Sequence, residues 1–164
     1  LNLRRPIPKV ESGYKVLVVG GKAITQDFLR KADQTDSIDR VRLVDTTSEV
    51  DRYYPAADLY VHPTLNDSFG MAPLEAMSFG LPVILSPSPW CGFAQYVAPG
   101  EEALVLSHPE NAEELAGFIT QICDDAALRA QLVQGGDQVV ARHSWAEVAR
   151  RYLDLYQEVL RERT

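Results

Sequence analysis

Residues 62–80 are the stretch of this sequence with the most residues that could bind a ligand or take part in catalysis. They include two carboxylates and a glycine. Asp67 and Glu75 flank Gly70, where a helix is expected to begin. The free backbone N–H groups of such a helix start, here at residues 70–72, bind anions without a cationic side chain because the helix dipole adds to their partial charge. Carboxylates repel phosphate but accept hydrogen bonds from hydroxyls. The pattern therefore suits a ligand with a diphosphate in its middle and a sugar at either end.

The same spacing also suits a purely structural interpretation. Asp67 or Ser68 would then cap the helix through a side-chain oxygen, and Glu75 would be an ordinary surface residue. The residue pattern alone leaves both interpretations open. It indicates either a nucleotide or phosphosugar site or a capped helix.

Short apolar runs recur along the chain and predict the strands that would position this stretch. They contain many β-branched residues, do not alternate with polar ones, and end near Gly, Asp, Pro or Ser. Such runs are typical of strands that are covered on both faces in a parallel sheet. We predict strands at residues 14–19, 41–44, 59–61, 82–85 and 103–106.

Helical patterns fill the intervals between these runs and the C-terminal part of the chain. Ser144 and Glu147 form a capping box before the last and longest helix. Alternating strands and helices predict an α/β fold: a doubly wound, mostly parallel Rossmann-like sheet with helices on both faces and a helical C-terminal end. Residues 1–13 are expected to be an irregular lead-in or a remnant of a preceding element, and residues 14–164 to form one domain. Helices are predicted at residues 23–31, 49–54, 71–79, 112–123 and 126–134 and after Ser144.

The composition argues against several partners and locations. The 164 residues include 23 acidic and 16 basic side chains, a formal charge of −7, which disfavours nucleic acids and anionic membranes as partners of the whole surface. Cys91 and Cys123 are the only cysteines and offer no zinc spacing, so no metal site is expected. No apolar run approaches the ~20 residues that span a bilayer, and no signal peptide opens the chain. We therefore expect a cytoplasmic protein without a transmembrane segment.

Residues 57–83 resemble the characteristic motif of the family 4 glycosyltransferases, which are retaining enzymes of the two-domain GT-B architecture. The blocks that carry the resemblance are A-D-L-Y-V-H-P, D-S-F-G-M, L-E-A-M and G-L-P-V, in the family's order and spacing. The resemblance covers residues 14–160 and concerns only the C-terminal, donor-binding domain of that family.

The resemblance implies a role for each acid. Glu75 would bind the ribose hydroxyls of a nucleotide, and Asp67 would lie beside the transferred sugar, so both are the catalytic candidates. The family has Glu where this sequence has Asp67, a departure that bears on the choice of donor. The remaining donor-binding candidates follow the predicted strands or begin the helix: Ser68, Phe69, Gly70, Met71, Ala72, Asp45, Ser48, Gly20 and Lys22.

By the same resemblance, the chain is the nucleotide-sugar-binding domain of a hexosyltransferase that uses a nucleotide-diphosphate sugar and neither cofactor nor metal. The acceptor, a glycan or glycolipid, would bind mainly through an N-terminal domain outside this chain, and the family's first strand would also lie outside it. The chain alone would then be an inactive fragment, and the full-length protein could associate peripherally with a membrane. The loop C-G-F-A-Q-Y at residues 91–96 is similar to that of lipopolysaccharide-core glucosyltransferases.

Two other functions remain open at this point. A sugar-nucleotide epimerase of the same architecture would need acid–base residues beyond Asp67 and Glu75, and none is evident. A non-catalytic nucleotide-sugar-binding module or a receiver-like α/β module is the other alternative. Asp45 follows a predicted strand, as in a receiver, but the accompanying acidic pair and lysine are not evident.

Overall fold

The computed structural model describes residues 13–20, 30, 33–34 and 38–162, and its strands pair in parallel. One pair, β1 with β2, precedes a three-stranded sheet in the order β3-β4-β5. Each strand overlaps a predicted one, which confirms the parallel α/β fold. Most of the expected lead-in, most of the helix predicted at residues 23–31, and Lys22 lie outside the described residues. The strands are β1 (Val16–Val19), β2 (Val41–Val44), β3 (Tyr60–His62), β4 (Val83–Leu85) and β5 (Leu104–Val105).

Strand β4 forms the centre of the core. Its three residues are completely buried and belong to two apolar clusters, as expected when successive side chains point to opposite faces of a sheet. Val83 and Leu85 lie in a cluster with Met77. Ile84 lies in a second cluster with Ile122. Covering on both faces explains why this stretch of sequence does not alternate between apolar and polar residues.

The described residues that follow β3 form four α-helices, and α1 packs against α3. Helix α3 is longer than the predicted 126–134, because Gly135 and Gly136 do not end it. The prediction of a stop there was wrong: Gly135 lies against the backbone of Glu101 and Glu102, and Gly136 against Met77. The helices are α1 (Met71–Ser78), α2 (Ala112–Asp124), α3 (Ala126–Arg142) and α4 (Trp145–Glu162).

The helix predicted at residues 49–54 and ended by Pro55 is instead two single-turn 3₁₀ helices, Val50–Arg52 and Tyr54–Ala56. Pro55 stands at the start of the second turn, where its missing N–H removes no helical hydrogen bond. The turn buries the ring of Tyr54, which stacks on Phe79 with ring centres 5.1 Å apart. This packing fixes the segment that follows β2 against α1.

Helix α4 begins where the capping box predicts, but only half of that box forms. The amide of Glu147 donates to Ser144 Oγ at 3.3 Å. The Glu147 carboxylate binds Arg150 and Arg151 instead of the Ser144 amide, and these cations lower its pKa to about 2. The helical period of the sequence puts several apolar residues on one face of α4, and four of them are exposed, Trp145 at 85%, together with Tyr152, Leu155 and Val159. Within the described residues, no helix combines the length and apolar character needed to cross a membrane.

The turn at Glu101 and Glu102 is predicted to be solvated, and for Glu102 this was wrong. Glu102 is only 9% exposed. Its two carboxylate oxygens each accept a hydrogen bond from Arg142 at 2.9 Å, and the Ala98 amide donates to Oε2. Burial alone would raise the pKa of Glu102, but Arg142 and the Ala98 amide hold it below its usual value. The pair ties the end of α3 to the turn before β5.

We expect Glu102→Gln to lower the free energy of unfolding by about 1–2 kcal/mol at neutral pH, because charge-assisted hydrogen bonds are lost. A carboxyl whose pKa is lowered on folding stabilises the protein above its unfolded pKa, and this contribution is lost as the pH falls through the folded pKa. The loss should therefore be larger at pH 7 than at pH 3, as measured by urea unfolding. Glu101→Gln, at the exposed neighbour, is the control. An equal loss at both pH values would contradict the prediction.

Candidate functional site

The connection from β3 to α1 forms the centre of the site. Gly70 precedes α1 with φ +92°, a left-handed conformation that glycine adopts at little cost. A Cβ at this position would lie 3.2 Å from Phe93 Cβ and 3.4 Å from Cys91 Sγ. The glycine therefore lets the helix start approach the loop after β4 closely, and leaves its backbone open to a ligand.

The start of α1 has no side-chain cap. Neither Asp67 nor Ser68 hydrogen-bonds to it, so the structural interpretation of these residues as caps was wrong. Pro73 lies in the first turn and has no N–H to satisfy. The amides of Met71 and Ala72 thus belong to an uncapped helix terminus, whose partial positive charge favours an anion.

Asp67 lies beside this helix start and is held at three points. Its amide donates to Trp90 O at 2.9 Å, and its carbonyl accepts from the Gly92 amide at 3.0 Å. Its Oδ2 lies 2.9 Å from His62 Nε2 and 3.6 Å from the place where a Cβ of Gly70 would lie. The carboxylate is 29% exposed. Asp67 is therefore fixed at the helix start and still open to a ligand.

Glu75 lies one turn further along α1 and is exposed, but it is not a free surface residue. Its Oε2 accepts a hydrogen bond of 3.0 Å from the Tyr54 hydroxyl. The hydroxyl is the donor because a carboxylate only accepts, and burial, followed by the neighbouring Glu75 carboxylate, raises the pKa of Tyr54. The second acid of the site is therefore anchored from the segment that follows β2.

Tyr60 lies close enough to both acids to interact with their charges. Its hydroxyl is 3.3 Å from His62 Nδ1, and its ring is 6.1 Å from that of Tyr54. Burial raises the pKa of Tyr60 to about 12, and the carboxylates of Glu75 and Asp67 add to the effect. Sequence reasoning assigned Tyr54 and His62 only structural or solvated roles. The signal that could have found His62 is the period of two along β3, which puts Tyr60 and His62 on one face just before the strand ends.

The other candidate residues are placed as follows. Phe69 packs edge-on against Phe93 with ring centres 5.5 Å apart, and the backbone of Ser68 contacts Gly92. Gly20 follows β1 with φ +87° and its amide donates to Val44 O, while Asp45 and Ser48 are exposed after β2. No hydrogen bond, ion pair or ring contact between described residues joins these last three to Asp67 or Glu75. In the same part of the chain, no three His, Cys, Asp or Glu residues cluster as metal ligands would.

Comparison with known proteins supports the resemblance to the C-terminal domain of the family 4 glycosyltransferases. The family model "Glycosyl transferases group 1" matches residues 4–139. Lipopolysaccharide glucosyltransferase WaaG of Escherichia coli K12 is 30% identical over 85% of this chain and 33% of its own length. The D-inositol 3-phosphate glycosyltransferase of Salinispora tropica is 28% identical over 98% of this chain and 34% of its own. The chain thus spans about a third of the length of these two curated relatives.

Solved structures show the same fold. WaaG superimposes with a TM-score of 0.70 at 24% identity, covering 86% of this chain and 37% of its own. Anabaena HepE in complex with UDP gives 0.78 at 18% identity, covering 88% and 41%. The C-terminal domain of the group 1 protein LpcC from Francisella tularensis gives 0.65 at 19% identity, covering 75% and 63%. The chain belongs to the group 1 glycosyltransferases, family 4 of the GT-B architecture, and corresponds to their C-terminal Rossmann-like domain.

Proposed function

We propose that this chain binds the nucleotide-diphosphate sugar of a retaining glycosyltransferase. The observation that carries the proposal is the pair of anchored carboxylates, Asp67 and Glu75, beside an uncapped helix start. Group 1 membership supports the reaction class. The complexes of HepE with UDP and with UDP-glucose make these two compounds the first ligands to test.

In this proposal, each part of the site binds one part of the donor. The amides at the start of α1 bind the distal phosphate, because the uncapped terminus carries partial positive charge. Glu75 accepts hydrogen bonds from the ribose hydroxyls while Tyr54 holds its other side. Asp67 accepts hydrogen bonds from hydroxyls of the sugar. The segment after β2, with Asp45, lies beside the base.

The reaction would need no metal, because helix-terminal amides stabilise the charge that develops on the departing diphosphate. That diphosphate helps to take the proton of the acceptor hydroxyl, and the sugar is transferred with retention of configuration. The acceptor, a glycan or glycolipid, would bind mainly to a part of the protein outside this chain. We therefore expect the chain alone to bind the donor weakly and to transfer nothing.

Calorimetric titration of the wild-type chain with UDP-, GDP- and ADP-sugars tests the proposal. Glu75→Ala should weaken binding of the preferred donor by about 10–100-fold, because charge-assisted hydrogen bonds to two hydroxyls are lost. The same variant should weaken binding of the sugar-free nucleotide diphosphate equally, since the ribose belongs to both ligands.

Glu158→Gln, which removes an exposed carboxylate of α4, is the matched control and should leave binding unchanged. Wild-type protein that binds none of the three sugar nucleotides would contradict the proposal and would favour a non-catalytic module. Robust transfer by the chain alone would contradict the assignment of the acceptor site to another part of the protein.

A further inference from the structure

We propose that His62 is the positioning residue that orients Asp67 toward the transferred sugar, so that it determines the preference for a sugar nucleotide over the bare nucleotide. This inference rests on the proposed function. It adds a residue for which neither the sequence pattern nor the family match gives a role. The contact that carries it is the 2.9 Å hydrogen bond between His62 Nε2 and Asp67 Oδ2.

Strand β3 places the two side chains that make this contact specific. Tyr60 and His62 are two residues apart and therefore share a face of the strand. Their rings stack with centres 6.0 Å apart and an interplanar angle of 22°. The His62 side chain is only 17% exposed. The imidazole is thus held in one place at the carboxyl end of the strand.

The hydrogen bonds of His62 define its tautomer. A carboxylate only accepts hydrogen bonds, so His62 Nε2 must carry a proton and donate it to Asp67 Oδ2. In a neutral imidazole Nδ1 then carries no proton and accepts a hydrogen bond from the Tyr60 hydroxyl. Similar chains of partners orient ligating groups in other sites. The sequence Tyr60–His62–Asp67 is therefore a directed chain of hydrogen bonds that ends on the acid.

The rest of Asp67 has little freedom left. Its amide and carbonyl are bound to Trp90 and Gly92, so its backbone is fixed on both sides. Rotation of the short side chain is the remaining freedom, and His62 restricts it by binding one carboxylate oxygen. In the described part of the chain, no hydrogen bond reaches the other oxygen, Oδ1, which remains able to accept one from a sugar hydroxyl.

Two amide variants separate positioning from packing. Glutamine can place its side-chain nitrogen close to the position of His62 Nε2, whereas asparagine is too short to reach Asp67. We expect His62→Asn to weaken binding of UDP-glucose by ~10-fold and His62→Gln by less than ~3-fold, since only the first loses a charge-assisted hydrogen bond. Binding of UDP should not change in either variant, because UDP has no sugar to reach Asp67. If the first titrations identify a GDP- or ADP-sugar, that pair replaces UDP-glucose and UDP.

A spectroscopic measurement needs no ligand. The ¹⁵N shifts of His62 in the free protein should show the Nε2–H tautomer, and Asp67→Asn should move the Nε2 shift. An Nδ1–H tautomer, or shifts that Asp67→Asn does not change, would overturn the inference.

The binding data distinguish a failure of the inference about His62 from a failure of the proposed function. If Glu75→Ala weakens both ligands but His62→Asn weakens neither, the proposed function stands and the inference fails. Equal losses for UDP and UDP-glucose, or for the Gln and Asn variants, would show a merely structural role and would also overturn it. Wild-type protein that binds no sugar nucleotide would remove the proposed function itself.

Discussion

Gly92→Ala is expected to destabilise the protein by about 3 kcal/mol, the upper end of what overpacking costs. The new Cβ would lie 2.0 Å from Ser68 O and 2.9 Å from Ser68 C. Both are backbone atoms, so no side-chain rotation can relieve the contact. The Gly92 amide also donates to Asp67 O at 3.0 Å, and a shift that relieves the clash would weaken this bond. Urea unfolding of the two proteins measures the difference.

Gly117→Ala is the control for this substitution. Gly117 lies in α2, and a Cβ there would have no neighbour within 4 Å. Alanine should therefore stabilise the protein by about 0.5–1 kcal/mol through its higher helix propensity. If both variants unfolded at the same urea concentration, the result would contradict the close contact between the loop after β4 and the segment before α1.

Gly135→Ala should destabilise the protein by about 2–3 kcal/mol, again through overpacking. Its Cβ would lie 2.5 Å from Glu101 O and 2.8 Å from Glu102 Cα. The helix cannot simply rotate away, because the carboxylate of Glu102 is bound to Arg142 on the same helix. Thermal unfolding followed by circular dichroism gives the change in stability.

Gly136→Ala is a closely matched control for Gly135→Ala. The two glycines are adjacent in α3, and alanine raises the helix propensity equally at both positions. The three atoms nearest a Cβ at Gly136 all belong to the Met77 side chain, the nearest being Cγ at 3.3 Å, and this side chain can adjust. We expect this variant to lie within about 1 kcal/mol of wild type. If Gly136→Ala were the more damaging of the two, the packing of α3 against the turn before β5 would be wrong.

Most of the fold could be predicted because its signals are local. The apolar runs that become β1 to β5, the glycine before α1 and the serine before α4 each act within a few residues. The length of α3 could not be predicted in this way. A Gly-Gly pair normally ends a helix. Here the helix continues through the pair because the backbone at Glu101, from a distant part of the chain, packs against Gly135. The same holds for Glu102, whose burial depends on Arg142.

The residues of the candidate site also fall into two groups: those that their order along the chain identifies, and those whose roles depend on contacts between distant segments. Asp67, Gly70 and Glu75 could be identified because their order along the chain carries the family resemblance. Tyr54 and His62 could not, since their contacts with the two acids depend on how the segment after β2 and the end of β3 lie beside α1. Residue type alone gives a tyrosine or histidine many structural roles, and only geometry selects among them.

The two tryptophans stand in opposite surroundings, which makes this protein suited to fluorescence. Trp145 is 85% exposed at the start of α4, a helix that buries none of its residues, so its emission reports little of the core. Trp90 is partly shielded, lies edge-on to His108 with ring centres 4.8 Å apart, and accepts the amide proton of Asp67 through its carbonyl. Replacing the exposed indole with phenylalanine would leave a single emitter beside the acid. Ligand titrations and folding kinetics could then be followed from within the site, without an added label.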